Sequence, residues 1–209
     1  MFSIVSITGF AVLFFVIILH CLCTRQKPDK LSGEKRKCLL SLLCFECKSG
    51  FLGILRKLVY LAALLCFVVL FVTGFYQPLI NGEHISGFPI MIHATAAPVF
   101  AVFIAILAVM WAGECVFDKN YWPWLTKLLQ RQPKSDSKPQ RYEFLLKACF
   151  WAILVLALPL ILSIVLSMFK IFGTSMQELF LDVHRYTSLA TAIVIILHTY
   201  LMIRSQEAK

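Results

Sequence analysis

Residues 181–203 read LDVHRYTSLATAIVIILHTYLMI, an apolar stretch that carries two histidines, His184 and His198. About 20 apolar residues in a helix are enough to cross the roughly 30 Å hydrocarbon core of a bilayer. A separation of fourteen residues puts the two histidines within about 40° of each other on a helix and roughly 21 Å apart along its axis. Because an ionisable side chain inside a membrane is costly and marks function, the stretch predicts a membrane helix with a site near each end.

The whole composition is that of a membrane protein. The chain has 209 residues, of which 60% are hydrophobic and 15% charged, and its mean hydropathy is +0.82. Soluble domains are about 45–50% apolar and about 25% charged. We therefore predict an all-α, polytopic membrane bundle of five transmembrane helices, one extra N-terminal helix plus a four-helix core. The predicted spans are Phe2–Cys23, Leu58–Tyr76, Phe88–Ala112, Leu145–Phe169 and Leu179–Ile203.

The basic residues predict the orientation of the bundle. The net charge is +9, but the cations lie between the apolar runs, which argues against nucleic acid as a partner. Of the 20 Lys and Arg residues, nine lie in residues 24–57, seven in residues 113–147 and two after residue 203. The positive-inside rule then places the N-terminus outside and the C-terminus in the cytoplasm. We expect a multi-pass protein of the cytoplasmic (inner) membrane, in contact with lipid.

The chain is expected to have three parts. Residues 1–57 form an N-terminal transmembrane helix and a basic cytoplasmic loop, residues 58–203 a four-helix membrane domain, and residues 204–209 a cytoplasmic tail. The first helix has an alternative interpretation as a secretory signal. Its sequence MFSIVSITGF has no basic segment before the apolar run and no obvious small-residue cleavage site, so a retained helix is preferred.

The histidines form pairs at matching depths. His93 and His184 each lie about one and a half turns into their spans, both from the outer side. Two imidazoles on neighbouring helices can hold one haem iron from both sides. His198 and His20 lie near the inner ends of their spans, so they are the predicted ligands of a second haem. Arg185 either binds a haem propionate or reaches the lipid headgroups.

Other interpretations stay open for several residues. Intramembrane histidines also hydrogen-bond neighbouring helices or form proton relays, so the alternative function is a haem-free transport or assembly protein with a proton or metal path. His84 is expected to be a loop residue, with a quinone or partner contact as the alternative. Cys38, Cys44 and Cys47 are expected to be reduced thiols, with a zinc or iron–sulfur site as the alternative.

From Leu58 to Ile203 the sequence resembles the four-helix b-type cytochrome subunits of formate dehydrogenase, hydrogenase and thiosulfate reductase complexes. The resemblance rests on LVYLAALLCFVVLFVTGFY (58–76) with its terminal Thr-Gly pair, on His93, and on the two-histidine helix HRYTSLATAIVIILHTY. It implies two b haems that carry electrons between a quinone pool and a partner redox subunit. It also implies that His93 and His184 are the outer ligands and that His198 is one inner ligand.

The sequence departs from the pattern of this family at one ligand. The family has a His about thirteen residues before the Thr-Gly pair, and this sequence has Tyr60 there. Three outcomes are open: His20 substitutes, Tyr60 ligates the iron, or the inner haem is absent. No G-x-G-x-x-G fingerprint occurs, so nucleotide chemistry must come from another chain. The predicted function is a membrane b-type cytochrome that relays electrons through bis-His haem between quinone and a peripheral or membrane redox subunit.

Overall fold

The computed structural model describes residues 1–23, 51–80, 82, 85–117, 138–169 and 171–207. Within these residues the regular secondary structure is helical. The five helices are α1 (Phe2–Cys23), α2 (Phe51–Ile80), α3 (Phe88–Trp111), α4 (Lys138–Met168) and α5 (Thr174–Glu207). Each contains a segment long and apolar enough to cross a membrane. The predicted all-α polytopic bundle with five membrane-spanning helices is therefore confirmed.

Three helices extend beyond the spans expected from hydropathy. α2 and α4 each begin seven residues before the predicted span, and α5 begins five residues earlier and ends four residues later. Hydropathy detects only the apolar run, whereas the helical hydrogen bonds continue through the residues that flank it. α3 begins where predicted, because Gly87 adopts a φ of 65° before it and Pro89 occupies its first turn.

The four helices α2–α5 form two antiparallel hairpins. α2 packs along α3 and α4 packs along α5, whereas the two hairpins contact each other far less. The rings of Phe67 on α2 and Phe100 on α3 illustrate the packing within the first hairpin, with centroids 6.4 Å apart. His93 is in the first hairpin and His184 is in the second. Their separation therefore depends on how the two hairpins are held together.

α1 contacts both hairpins. Phe10 packs edge-on against Phe71 and Phe75 of α2, with ring centroids 5.4 and 5.3 Å away. The hydroxyl of Ser3 donates a 2.8 Å hydrogen bond to the carbonyl of Pro78. The buried cluster around Phe10 also includes two residues of α5; its members are Phe10, Phe75, Leu189 and Ala192. Because it packs on one helix of each hairpin, α1 ties the two together.

The end of α3 is a second place where the hairpins meet. Arg56 of α2 forms an ion pair with Glu114, just beyond α3, with 2.5 Å between Nη1 and Oε1. Trp151 of α4 donates its indole N–H to the carbonyl of Cys115 at 3.0 Å. These contacts join α2 and α4 to the same short segment, at the opposite end of the bundle from Ser3 and Pro78.

Candidate functional site

His93 and His184 lie side by side between the two hairpins. His93 is in the second turn of α3 and His184 is on α5. Their ring centroids are 6.5 Å apart, and the ring planes are inclined at 81°. Both side chains are partly buried. The structure therefore brings together the two residues that the sequence places at the same depth.

The orientation of the His184 ring is set by a main-chain oxygen of α4. Its Nδ1 lies 2.9 Å from the carbonyl oxygen of Leu160. Since a carbonyl oxygen only accepts, Nδ1 must carry the hydrogen and donate it. In the neutral imidazole, the lone pair is then on Nε2. This hydrogen bond fixes the tautomer that a metal ligand at Nε2 needs.

The His93 ring has the same tautomer for a different reason. Its Nδ1 lies 3.1 Å from the hydroxyl oxygen of Thr73 on α2. The Thr73 hydroxyl donates its only hydrogen to the Val69 carbonyl at 2.7 Å, so its oxygen accepts from the histidine. Nδ1 of His93 is therefore also a donor, and its Nε2 is left with the lone pair.

This pair of rings fits a metal with two axial imidazole ligands. Metal–imidazole nitrogen bonds are about 2 Å long, which puts the centroids of two trans rings roughly 6 Å apart. The observed 6.5 Å is close to that separation. Two protein ligands suit a metal whose other positions are filled by a bound macrocycle, as in haem. The two imidazoles and the distance between their ring centroids are therefore compatible with a bis-histidine haem.

Arg185 lies beside this pair on α5. Its Nη1 is 3.2 Å from Asp182 Oδ1, an ion pair between residues three apart on the helix. The side chain is partly exposed. Contact with a haem propionate and contact with lipid headgroups both stay predictions for this residue.

His198 lies further along α5 and is differently placed. Its Nδ1 is buried and has no hydrogen-bond partner among the described residues. The neighbouring Thr199 donates its hydroxyl to the Ile195 carbonyl of its own helix at 2.9 Å. Its side chain lies close to the Tyr60 hydroxyl of α2.

His20 lies beside Tyr200, with 2.6 Å between its Nδ1 and the phenol oxygen. Tyr200 and His198 are two residues apart, so their side chains leave α5 in directions about 160° apart. The structure therefore pairs His20 with Tyr200, a residue on a different face of α5 from His198. The role of His20 as a haem ligand stays a prediction.

Two parts of the site were not identified from the sequence. The sequence shows Thr73 only as part of the Thr-Gly helix end, although its position twenty residues before His93 is compatible with a contact within the hairpin. The Leu160 carbonyl carries no side-chain signal, because it is a main-chain atom. His84 and the three cysteines Cys38, Cys44 and Cys47 lie outside the described residues, so their predicted roles stay untested.

Comparison with known proteins identifies one family. The family model described as prokaryotic cytochrome b561 matches residues 61–209. The match covers more than half of the chain, includes α3, α4 and α5 together with most of α2, and begins after α1. No curated protein and no solved structure matches the chain.

Proposed function

Because the chain belongs to the prokaryotic cytochrome b561 family, we propose that it relays electrons in the membrane through a b-type haem held by His93 and His184. Membership of the family implies a b-type haem and membrane electron transfer. The observation that carries the choice of ligands is the 6.5 Å separation of the two rings, whose Nδ1 atoms both donate hydrogen bonds to other helices.

In this proposal the residues of the chain hold the haem, and the haem supplies the redox chemistry. When bound, the haem provides an iron that takes up and releases one electron. His93 and His184 would hold it from different hairpins. Thr73 and the Leu160 carbonyl fix the rings in the tautomer that leaves each Nε2 free to bind. The surrounding apolar helices keep water from the site and so influence its reduction potential.

One haem per chain is the number that we propose. A second, inner haem needs a partner for His198. His20 contacts Tyr200, whose side chain leaves α5 in a direction about 160° away from that of His198, and Tyr60 lies close to Thr199. The Nδ1 of His198 is buried and has no hydrogen-bond partner in the described part of the chain, which supports a functional role for that ring as a proton acceptor or as a ligand.

The proposed electron partners are a quinone and a second redox protein. Quinones dissolve in the bilayer, and all five helices present apolar side chains at the surface, so a quinone can approach from lipid. The redox subunit would contact one of the basic loops on the cytoplasmic side, in the inner-membrane topology expected from the charge distribution. A haem-free proton or metal path is the weaker alternative, since the family is one of cytochromes.

The test is an optical spectrum with a haem count. The purified protein, expressed with ample haem supply, should show a b-type spectrum after dithionite reduction and about one haem per chain. His93→Ala and His184→Ala should each abolish that spectrum, whereas the matched change His20→Ala should leave it intact. A colourless wild-type protein would refute the proposal. If haem is retained in both His93→Ala and His184→Ala, the ligand assignment is refuted. Two haems in the wild type, one of which is lost in His20→Ala, would instead support His20 and His198 as ligands of an inner haem.

A further inference from the structure

We propose that the adjacent residues Thr73 and Gly74 form a seat on α2 that positions the His93 ring and lowers the reduction potential of the haem. The inference rests on the proposed function, because it assumes that His93 binds haem. It concerns the helix α2, which contributes no ligand of its own to that haem.

The first half of the seat is a hydrogen bond. The Thr73 hydroxyl lies 3.1 Å from Nδ1 of His93. Its own hydrogen is committed to the Val69 carbonyl at 2.7 Å, so the oxygen is held in one orientation with a lone pair toward the ring. The His93 ring thereby has a fixed acceptor on the neighbouring helix. An acceptor at this nitrogen makes the opposite nitrogen a better electron donor to a metal.

The second component of the seat is Gly74, which has no side chain. A Cβ built at this position would lie 3.1 Å from Cε1 and 3.5 Å from Nδ1 of the His93 ring. The shorter contact is tighter than ordinary van der Waals packing, so an alanine would push the ring away from α2. Gly74 therefore lets the ring approach the helix closely enough to reach the Thr73 hydroxyl.

The two ligands consequently have different environments. His184 donates to the main-chain carbonyl of Leu160 on α4, the helix that packs along α5. Because this acceptor is a main-chain atom, substituting a side chain does not remove it. His93 donates to a side-chain hydroxyl. The His93 side is thus where a single side chain sets how strongly the imidazole donates to iron. A stronger donor stabilises ferric over ferrous haem and lowers the potential.

The experiment is a redox titration of the haem-loaded full chain. Thr73→Val removes the acceptor at nearly constant volume, Thr73→Ala removes it with less volume, and Thr73→Ser retains it. We expect a higher midpoint potential in Thr73→Val and Thr73→Ala than in wild type, and an unchanged potential in Thr73→Ser. Gly74→Ala should change the low-temperature electron paramagnetic resonance spectrum of the ferric haem, because it displaces one axial ring. Thr95→Val is the matched control, since the exposed Thr95 hydroxyl donates to the carbonyls of Met91 and Ile92 in its own helix.

The outcomes separate this inference from the haem proposal. Wild-type protein with haem, together with unshifted potentials in Thr73→Val and Thr73→Ala, overturns the inference and leaves the haem proposal standing. If the midpoint potential of Thr95→Val shifts as much as that of Thr73→Val, the inference is also overturned. Loss of haem from Thr73→Val and Thr73→Ala but not from Thr73→Ser supports the seat, because the hydroxyl is then required to hold the ligand. Loss from all three overturns it, and a colourless wild type overturns both proposals.

Discussion

Replacing Phe10 by alanine tests whether α1 holds the two hairpins together. Phe10 is 8% exposed and packs edge-on against Phe71 and Phe75. Aromatic pairs of this kind contribute about 0.5–1.5 kcal/mol each beyond area burial. The apolar side chain is not transferred from water when the helix docks, because lipid tails are as apolar as leucine. The two ring contacts therefore set the expected loss, roughly 1–3 kcal/mol for the pair.

The matched control is Phe14→Ala on the same helix. Phe14 is 52% exposed and so faces the lipid side of α1. Both variants lose the same atoms and have the same change in helix propensity. Only Phe10→Ala also removes packing against α2 and the buried cluster shared with α5. We expect Phe14→Ala to lie within about 0.5 kcal/mol of wild type, as surface substitutions generally do.

The assay is unfolding of the purified protein by SDS in mild detergent, followed by circular dichroism and by the haem absorbance. Phe10→Ala should unfold at a lower SDS fraction than both wild type and Phe14→Ala. Its haem absorbance should also fall earlier, because His93 and His184 belong to the hairpins that α1 joins. Equal unfolding of the Phe10 and Phe14 variants would refute the reasoning and would mean that α1 contributes no packing between the hairpins.

Two further predictions concern residues near the histidines. Tyr200→Phe removes the 2.6 Å contact with His20 and should lower the free energy of unfolding by about 0.5–1.5 kcal/mol, with no change in haem content. Loss of haem from the optical spectrum of this variant would instead link His20 to a haem. Arg185→Gln removes an exposed ion pair with Asp182, so thermal unfolding should change by less than about 1 kcal/mol. If Arg185 holds a propionate, transfer of haem from the variant to excess apomyoglobin should be faster, and an unchanged transfer rate would assign the side chain to the headgroups.

The depth of a histidine in the membrane could be predicted from the sequence, because it depends on the number of residues between the histidine and the end of its apolar run. Each helical residue advances the chain by about 1.5 Å, so the position of a histidine within its apolar run fixes its height. This is why His93 and His184 were expected at the same level, and the structure brings their rings to 6.5 Å. The same counting predicts one level for His20 and His198, whereas the contact that the structure shows for His20 is with Tyr200.

Rotation about a helix axis could not be predicted in the same way. The hydrophobic residues of α1 surround the helix, with exposed examples that include Ile7, Val12 and Phe15. A helix that is apolar on every side gives no periodic signal for which face meets the protein. In the structure, Phe10 packs on α2 and His20 contacts Tyr200. No pattern in the sequence predicts this rotation of α1.

By itself, then, the sequence determined the number of spans and their order, because apolar length and residue counts have direct physical meaning in a bilayer. Only the tertiary structure decided which side chains meet. It paired His93 with Thr73, His184 with the Leu160 carbonyl and His20 with Tyr200. The reason is that contacts between membrane helices depend on close steric fit and single hydrogen bonds, which hydropathy does not record.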